Sequence, residues 1–248
     1  MHKLVLLRHG ESKWNLDNRF TGWTNVGLTK KGIEEAKTSG QLLKANNYKF
    51  DIVFTSVLDR AIETMKNCLF EMQTSKIIVE NSWRLNERHY GALQGLNKTE
   101  TANKYGEKQV LIWRRSYDIP PPSLEYNDKR HPRFDSKYKK LKKHQLPNSE
   151  CLKDTVERIM PLWNEKMHPL IKSSKNLLIV AHGNSLRALI KHLDKISDEK
   201  IIEINIPTGI PLIYELDKNI NPIKSYYLGD KKIVDLMTSK VKHQGKPE

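Results

Sequence analysis

The chain has 248 residues, of which 38% are hydrophobic, and a formal net charge of +14 from 43 Lys and Arg against 29 Asp and Glu. No apolar run reaches the roughly 18–20 residues of a membrane helix, and no signal-peptide cleavage site follows the start. The two cysteines are too few for a disulfide framework. We therefore expect one domain over residues 1–248, cytoplasmic and without a membrane partner. The charge suits anionic ligands, but no zinc-finger or RNA-binding motif accompanies it, so nucleic acid is not expected as a partner.

Apolar runs of strand length alternate with helical patterns along the chain. In order, the patterns predict a strand at 3–7, a helix after Thr29, a strand at 51–56, a helix at 57–72, a strand at 76–80, a helix from about Ser149 with a kink at Pro161, a strand at 176–181, a helix at 184–196 and a strand at 211–216. Because the apolar runs are continuous, the strands are expected to be covered on both faces. The alternation predicts an α/β fold, with a mostly parallel central sheet flanked by helices on both faces.

Two segments lack the apolar periodicity of the rest. Residues 117–147 are rich in proline and charge, with lysines concentrated in 127–144, and are predicted to form a long insertion. Long insertions of this kind often serve as lids. Residues 229–248, after the last predicted strand, are predicted to be a mobile tail that is poorly ordered without ligand.

Two of the apolar runs end in the same way. "LVLLRHGES" (4–12) and "LLIVAHGNS" (177–185) place His9 and His182 directly after predicted strands. Ligands of open α/β sheets bind beyond the carboxyl ends of the strands, so neighbouring strands would bring both histidines to one pocket. Asn184 is expected to cap the following helix, whose free N–H groups can bind an anion. Taken singly, either histidine could instead be a polar strand end without a function.

Arginines indicate the chemistry of this pocket. Arg8 precedes His9, and Arg60 lies in the first turns of the helix after the strand at 51–56; Arg114 and Arg115 form a pair before the insertion. Guanidinium groups bind phosphate through two hydrogen bonds, and a neutral imidazole can attack phosphorus near neutral pH. No third histidine or carboxylate lies at a metal-ligand spacing, so no metal is expected. The pattern predicts phosphoryl transfer through a phosphohistidine.

A proton must also move on and off the substrate hydroxyl. Glu87, in "LNERHYG", is the candidate, as a carboxylate that follows a strand-like segment among aromatic and basic residues. The alternative reading of Glu87 is a surface ion pair with Arg84 or Arg88.

The motifs together resemble a known family. "LRHGES.WN", "RFTGW.N..LT..G", "TS.L.RA..T", "LNERHYG.LQG.NK", "RRSYD.PPP", "AHGNSLRA" and "IPTGIPLIYELD" are similar to the cofactor-dependent phosphoglycerate mutases of the histidine phosphatase superfamily, over about residues 3–230. The resemblance implies interconversion of 3-phosphoglycerate and 2-phosphoglycerate, in glycolysis and gluconeogenesis, through a phosphohistidine primed by 2,3-bisphosphoglycerate. It also implies a homodimer or homotetramer.

The resemblance assigns roles to individual residues. His9 would be the phosphorylated nucleophile and Glu87 the proton donor and acceptor, while His182, Arg8 and Arg60 would stabilise the transferring group. The phosphates and carboxylate of the substrate would be held by Ser12, Asn15, Thr21, Gly22, Tyr90, Lys98, Arg114, Arg115, Gly183 and Asn184, with Gly183 contributing a backbone N–H.

Three other functions compete with the mutase. A bisphosphoglycerate mutase typically replaces the serine of "RHGES" and the Thr-Gly of "FTGW", whereas Ser12, Thr21 and Gly22 are present here. A phosphatase of the same superfamily usually lacks "RRSYDIPPP" and "PTGIP", which this chain has. A basic RNA- or membrane-binding protein without enzyme activity would not need the intact catalytic positions.

Overall fold

A computed structural model describes residues 2–74 and 76–243 of the chain, and one six-stranded sheet lies at its centre. The strands are β1 (His2–Arg8), β2 (Ile52–Thr55), β3 (Ile78–Asn81), β4 (Leu177–Ala181), β5 (Leu212–Leu216) and β6 (Pro222–Tyr227). Their order in the sheet is β3-β2-β4-β1-β5-β6. The first four pair in parallel, whereas β5 is antiparallel to both β1 and β6. The predicted α/β fold with a mostly parallel sheet is confirmed.

Helices and short turns connect the strands. The α-helices are α1 (Lys13–Leu16), α2 (Lys30–Ala45), α3 (Asp59–Glu71), α4 (Lys98–Tyr105), α5 (Glu107–Arg115), α6 (Leu152–Leu162), α7 (His168–Lys172), α8 (Gly183–Leu193) and α9 (Lys231–His243). A π-helical turn (Trp163–Met167) joins α6 to α7. Turns of 3-10 helix lie at Trp83–Leu85, Gly91–Leu93, Pro132–Phe134, Ser136–Tyr138, Lys143–Gln145 and Lys200–Glu203. None of the helices in the described ranges is long and apolar enough to cross a membrane.

Helices cover both faces of the central strands. Leu4 and Leu6 of β1 pack on one side with residues of α6, α7 and α8, and Val5 and Leu7 pack on the other side with residues of α2 and α3. Burial on both faces explains the unbroken apolar run of this strand. The edge strand β3 differs from the prediction, because Ile78 is 67% exposed. The opposite edge, β6, was not predicted, since its polar sequence carries no buried-strand pattern.

The predicted kink at Pro161 corresponds to a change of helix type. α6 begins at Leu152, where the Asp154 carboxylate accepts a hydrogen bond from the Cys151 N–H (2.8 Å). Pro161 lies inside α6 and does not end it. A proline removes one helical hydrogen bond and crowds the preceding turn, and the π-helical turn follows directly before α7.

The segment predicted to be a mobile tail forms α9 as far as His243, and residues 244–248 lie outside the described residues. The Asp230 carboxylate accepts hydrogen bonds from the N–H groups of Lys232 (2.8 Å) and Ile233 (3.2 Å). These bonds satisfy N–H groups that a helix start leaves free, and Val234 is buried. The described part of this segment is therefore a capped amphipathic helix; its mobility stays a prediction.

The insertion at 117–147 contains only 3-10 turns as regular structure. It packs against the segment that follows β3, because the Ala92 N–H donates to the Pro122 carbonyl (2.8 Å) and Asn86 Nδ2 donates to the Tyr138 hydroxyl (2.9 Å). The Tyr138 side chain is buried in this contact. The insertion thus helps to position residues beside Glu87.

Candidate active site

The two histidines meet at one edge of the sheet. β1 and β4 are parallel neighbours, with Arg8 paired to Ala181. The residue that follows each strand is a histidine, so His9 and His182 lie side by side at the edge of the sheet. The His9 N–H continues the ladder by donating to the Ala181 carbonyl (2.9 Å). The ring centroids of His9 and His182 are 4.9 Å apart, with the rings inclined at 62°. The predicted convergence of the two motifs is therefore realised.

His9 has the protonation state of a nucleophile. Its Nδ1 lies 2.7 Å from the Gly10 carbonyl oxygen, which can only accept, so Nδ1 carries the proton and Nε2 keeps its lone pair. Burial lowers the pKa of His9 well below its usual value, and the nearby charges of Arg60 and Arg8 lower it further. The imidazole is therefore neutral near pH 7.

His182 is fully buried beside His9. Its Nε2 lies 2.7 Å from the Ser56 hydroxyl, and burial, together with Arg60, lowers its pKa well below the usual value. His182 is also the N-cap of α8, so the prediction that Asn184 caps this helix is wrong. The cap lies two residues earlier than expected, because the strand ends at Ala181 and the helix starts at Gly183.

Two buried arginines flank His9. Arg8 donates from Nη1 to the Ile206 carbonyl (2.6 Å), and its buried Nε has no hydrogen-bond partner within residues 2–74 and 76–243. Arg60 donates to the carbonyls of Gly22 (2.8 Å) and Thr24 (3.0 Å). Gly22 has a φ of +54°, which favours glycine, and a Cβ there would lie 2.3 Å from the side-chain oxygen of Gln94. The turn therefore needs a glycine to present its carbonyl to Arg60.

The Glu87 carboxylate faces the same site. Its Oε1 accepts hydrogen bonds from the N–H groups of Arg88 (2.7 Å) and Asn184 (3.1 Å), and the residue is 8% exposed. A Cβ on Gly183 would lie 3.6 Å from the Arg8 guanidinium and 3.7 Å from Glu87 Oε2, so the start of α8 is enclosed by both groups. The alternative of a surface ion pair is wrong, because the carboxylate is buried.

A buried ion pair holds the segment that carries Glu87. Arg158 of α6 contacts Glu150 at two points, Nε to Oε1 (2.7 Å) and Nη2 to Oε2 (3.0 Å). The same guanidinium donates to the carbonyls of Asn86 (3.2 Å) and Glu87 (3.3 Å). Glu150 in turn accepts a hydrogen bond from the His89 N–H (2.8 Å). The backbone on both sides of Glu87 is thus tied to α6.

A cleft that is open to solvent lies in front of His9. Every predicted site residue except Ser12 and His182 lines it, namely Arg8, His9, Asn15, Thr21, Gly22, Arg60, Glu87, Tyr90, Lys98, Arg114, Arg115, Gly183 and Asn184. Ser12 is buried behind the lining. It caps α1, where its hydroxyl accepts from the Asn15 N–H (3.3 Å) and donates to Asn15 Oδ1 (2.9 Å). Ser12 therefore does not line the cleft itself but orients Asn15, which does.

Two arginines of the lining were not predicted. Arg187 donates from Nη1 to Asn184 Oδ1 (2.8 Å), and Arg19 donates from Nη1 to the Gly95 carbonyl (2.8 Å). Arg187 lies three residues after Asn184 in "AHGNSLRA", and residues at this spacing share one face of a helix, so its position could have been predicted. Nothing in the sequence around Arg19 distinguishes it from a surface residue.

The pocket is strongly electropositive. Seven cationic side chains line it beside one carboxylate, that of Glu87: Arg8, Arg19, Arg60, Lys98, Arg114, Arg115 and Arg187. Burial and the charge of Arg114 lower the pKa of Lys98 well below its usual value, and burial and Arg115 lower the pKa of Arg187 to about 9. An anion would relieve this repulsion, so the arrangement suits a ligand with several negative charges. Among the described residues, no cluster of three or more His, Cys, Asp or Glu could hold a metal ion.

Acid is expected to destabilise the folded protein through its buried neutral histidines. Burial lowers the pKa of His89 to about 3, against about 6.5 in an unfolded chain. Between these values the unfolded chain binds a proton that the folded chain does not. The free energy of unfolding therefore falls as pH drops below 6.5, by up to about 1.4 kcal/mol per pH unit for each such histidine.

Urea unfolding of His89→Asn at several pH values between 7 and 5 measures this contribution. Asparagine can still accept the hydrogen bond that His89 Nδ1 receives from the Gly91 N–H (3.1 Å), so the variant should fold and should lose less stability in acid than the wild type. His144→Asn, at an exposed residue, is the control and should match the wild type. An unchanged pH dependence in His89→Asn would contradict the prediction.

An α/β sheet edge that presents two neutral histidines, buried arginines and one carboxylate defines a candidate phosphohistidine site. The chain belongs to the histidine phosphatase superfamily (branch 1), whose family model matches residues 4–144 and 125–227. Members of this superfamily are phosphatases or phosphotransferases.

Solved structures of other proteins share the fold. A mycobacterial glucosyl-3-phosphoglycerate phosphatase is 21% identical, with a TM-score of 0.66 over 87% of this chain and 93% of that chain. The alpha-ribazole phosphatase from Shigella flexneri is 23% identical, with a TM-score of 0.66 over 92% and 96% of the two chains. These similarities support the fold of this chain but do not identify its substrate.

Proposed function

We propose that the protein is a 2,3-bisphosphoglycerate-dependent phosphoglycerate mutase that interconverts 3-phosphoglycerate and 2-phosphoglycerate through a phosphohistidine at His9. The observation that carries this proposal is the number of cations in the pocket. Arg8 and Arg60 flank His9, while α4, α5 and α8 contribute a second cationic set, Lys98, Arg114, Arg115 and Arg187. A phosphoglycerate has a phosphate and a carboxylate to bind, and the bisphosphate has a second phosphate. Two cationic ends match these ligands better than they match a monophosphate.

Priming loads His9. Nε2 of His9 attacks a phosphorus of 2,3-bisphosphoglycerate; the N–P bond forms as the P–O bond to the glycerate carbon skeleton breaks. The glycerate oxygen that leaves takes a proton from Glu87. Arg8 and Arg60 offset the negative charge that spreads over the phosphoryl oxygens.

Turnover reverses this step on the substrate. The C2 hydroxyl of 3-phosphoglycerate gives its proton to Glu87 and attacks the phosphoryl group on His9, which regenerates the neutral imidazole and forms 2,3-bisphosphoglycerate. That molecule turns within the pocket and returns its C3 phosphoryl group to His9, while Glu87 protonates the departing oxygen. 2-Phosphoglycerate is released.

Shielding from water favours transfer over hydrolysis. Val241 of α9 lines the pocket, and its carbonyl accepts a hydrogen bond from Arg115 Nη2 (3.4 Å). This contact links α9 to the second cationic set. Exclusion of water from a reactive intermediate suppresses its hydrolysis, so α9 supports a mutase rather than a phosphatase.

An assay of 3-phosphoglycerate conversion tests the proposed function. Formation of 2-phosphoglycerate is measured with and without added 2,3-bisphosphoglycerate and with and without a chelator. We expect activity that needs the bisphosphate and survives the chelator. Loss of activity on chelation would contradict the proposal, and inorganic phosphate as the main product would favour a superfamily phosphatase.

Substitution of Arg115 by alanine tests the second cationic set. Loss of a charge-assisted hydrogen bond of about 1.5–3 kcal/mol should raise the KM for 3-phosphoglycerate roughly tenfold to a hundredfold. Hydrolysis of p-nitrophenyl phosphate, which has no second anion, should not fall. Arg130→Ala, which removes an arginine paired with Asp128 outside the pocket lining, is the control and should leave both reactions unchanged. Equal effects of Arg115→Ala on both reactions would argue against two anion-binding ends.

The proposed reaction implies a metabolic pathway, and the family resemblance implies a compartment and an oligomeric state. A phosphoglycerate mutase acts in glycolysis and gluconeogenesis, and we place the protein in the cytoplasm as a homodimer or homotetramer. Both assignments rest on the resemblance described above.

A further inference from the structure

Ser56 lies beside the catalytic histidines but outside the pocket lining. It follows β2, whose last residue, Thr55, pairs with Val180 of β4. Its position therefore brings it to the same edge of the sheet as His182. Ser56 is fully buried, and its hydroxyl has two contacts: it accepts a hydrogen bond from the Leu58 N–H (3.2 Å) and lies 2.7 Å from Nε2 of His182.

The direction of the Ser56–His182 hydrogen bond follows from the positions of the hydrogens. If the Ser56 hydroxyl donates to Nε2, it uses its one hydrogen and still accepts from Leu58. If Nε2–H donates instead, the hydroxyl hydrogen has no acceptor among the described residues, and a buried polar hydrogen without a partner is costly. The first arrangement leaves fewer groups unpaired, and it puts the ring proton of a neutral His182 on Nδ1.

The other ring nitrogen of His182 has no hydrogen-bond partner in the part of the chain that the structure describes. This nitrogen, Nδ1, is buried, and the ring lies 4.9 Å from that of His9. The lowered pKa of His182 keeps the ring neutral near pH 7. A neutral ring that carries its proton on Nδ1 has a donor to offer, whereas the other tautomer would present a lone pair to an anionic oxygen.

We propose that Ser56 is a positioning residue that fixes the tautomer of His182, so that Nδ1–H donates to an oxygen of the phosphoryl group during its transfer to and from His9. The inference rests on the proposed phosphohistidine chemistry. Preorganised donors of this kind act without rearrangement when charge develops. Ser56 thereby influences the reaction without contact with the substrate.

Nitrogen NMR of the histidine side chains tests the tautomer directly. In full-length protein labelled with ¹⁵N-histidine, and with no substrate added, the His182 signals are assigned by their loss in His182→Asn. We expect a proton on Nδ1 in the wild type and in Ser56→Thr, which keeps the hydroxyl, and a proton on Nε2 or a mixture in Ser56→Ala. A proton on Nε2 of His182 in the wild type would overturn the inference, whatever the phosphoglycerate assay shows.

Kinetics provide the second measurement. Loss of one preorganised donor lowers kcat by about 10²–10³-fold. Ser56→Ala should lose less, because part of its population still carries the ring proton on Nδ1. We therefore expect its kcat to fall roughly tenfold to a hundredfold, with little change in KM. Ser56→Thr should recover most of the rate. Thr55→Val removes a hydroxyl that donates to the Val180 carbonyl (2.8 Å), and this control should leave the tautomer and kcat unchanged. Wild-type kcat in Ser56→Ala, or an equal loss in Thr55→Val, would count against the assigned role.

Discussion

His9→Ala is expected to abolish covalent phosphorylation of the protein and to lower turnover by at least about 10³-fold. Removal of a covalent nucleophile eliminates the pathway itself, and the arginines that remain can only bind the substrate. The measurement is incubation with radiolabelled 2,3-bisphosphoglycerate, followed by detection of an acid-labile, alkali-stable phosphoryl group on the protein. The wild type should carry the label and the variant should not.

The histidine at the opposite end of β1 provides the matched control. His2 begins β1 and lies outside the pocket lining, so His2→Ala should keep both the label and the turnover of the wild type. Binding of 3-phosphoglycerate to His9→Ala, measured by calorimetry, should persist because Arg8 and Arg60 are unchanged. A label that remains in His9→Ala would identify another residue as the nucleophile.

Arg158→Met is expected to have the largest effect on stability. The substitution leaves the Glu150 carboxylate buried without its ion partner, and breaking one side of a buried pair costs about 3–5 kcal/mol. The carbonyls of Asn86 and Glu87 lose their donors at the same time. We expect a fall of this size in the free energy of unfolding in urea, and a lower kcat in any folded fraction, because the backbone around Glu87 is no longer held.

The double variant Glu150→Gln with Arg158→Met separates the effect of the unpaired Glu150 charge from the effect of the lost contacts to the backbone around Glu87. It removes the uncompensated charge but keeps an acceptor for the His89 N–H, so it should recover part of the stability without recovering kcat. Lys37→Met, which breaks the exposed pair with Glu34, is the surface control and should change stability little. A single Arg158→Met variant as stable as the wild type would contradict the role of this ion pair.

Local patterns predicted the centre of the candidate site because its residues follow strand ends. The apolar runs of β1 and β4 are buried on both faces, so their sequences identify them as central strands. Residues that follow such strands must emerge at one edge. His9, His182 and Arg8 could therefore be placed from sequence, and Glu87 was assigned from its neighbours with support from the family resemblance.

Other features depend on packing between distant segments and left no local pattern. The Arg158–Glu150 pair contacts residues more than sixty positions away in sequence, and neither residue stands out from ordinary helix charges. Arg19 reaches the pocket only because its loop folds against Gly95. These features follow from the three-dimensional neighbourhood rather than from periodicity.

The electropositive pocket has a consequence for the lifetime of the bisphosphate. A field strong enough to speed the capture of an anion also slows its escape, and the slowing grows with the charge of the molecule. In the proposed mutase, the bisphosphate carries the highest charge of any species in the cycle. It is therefore retained for long enough to turn round, while each less charged monophosphate departs more readily. In the proposed mutase, the excess of arginine and lysine in the pocket would therefore make the residence time of each reactant increase with its negative charge.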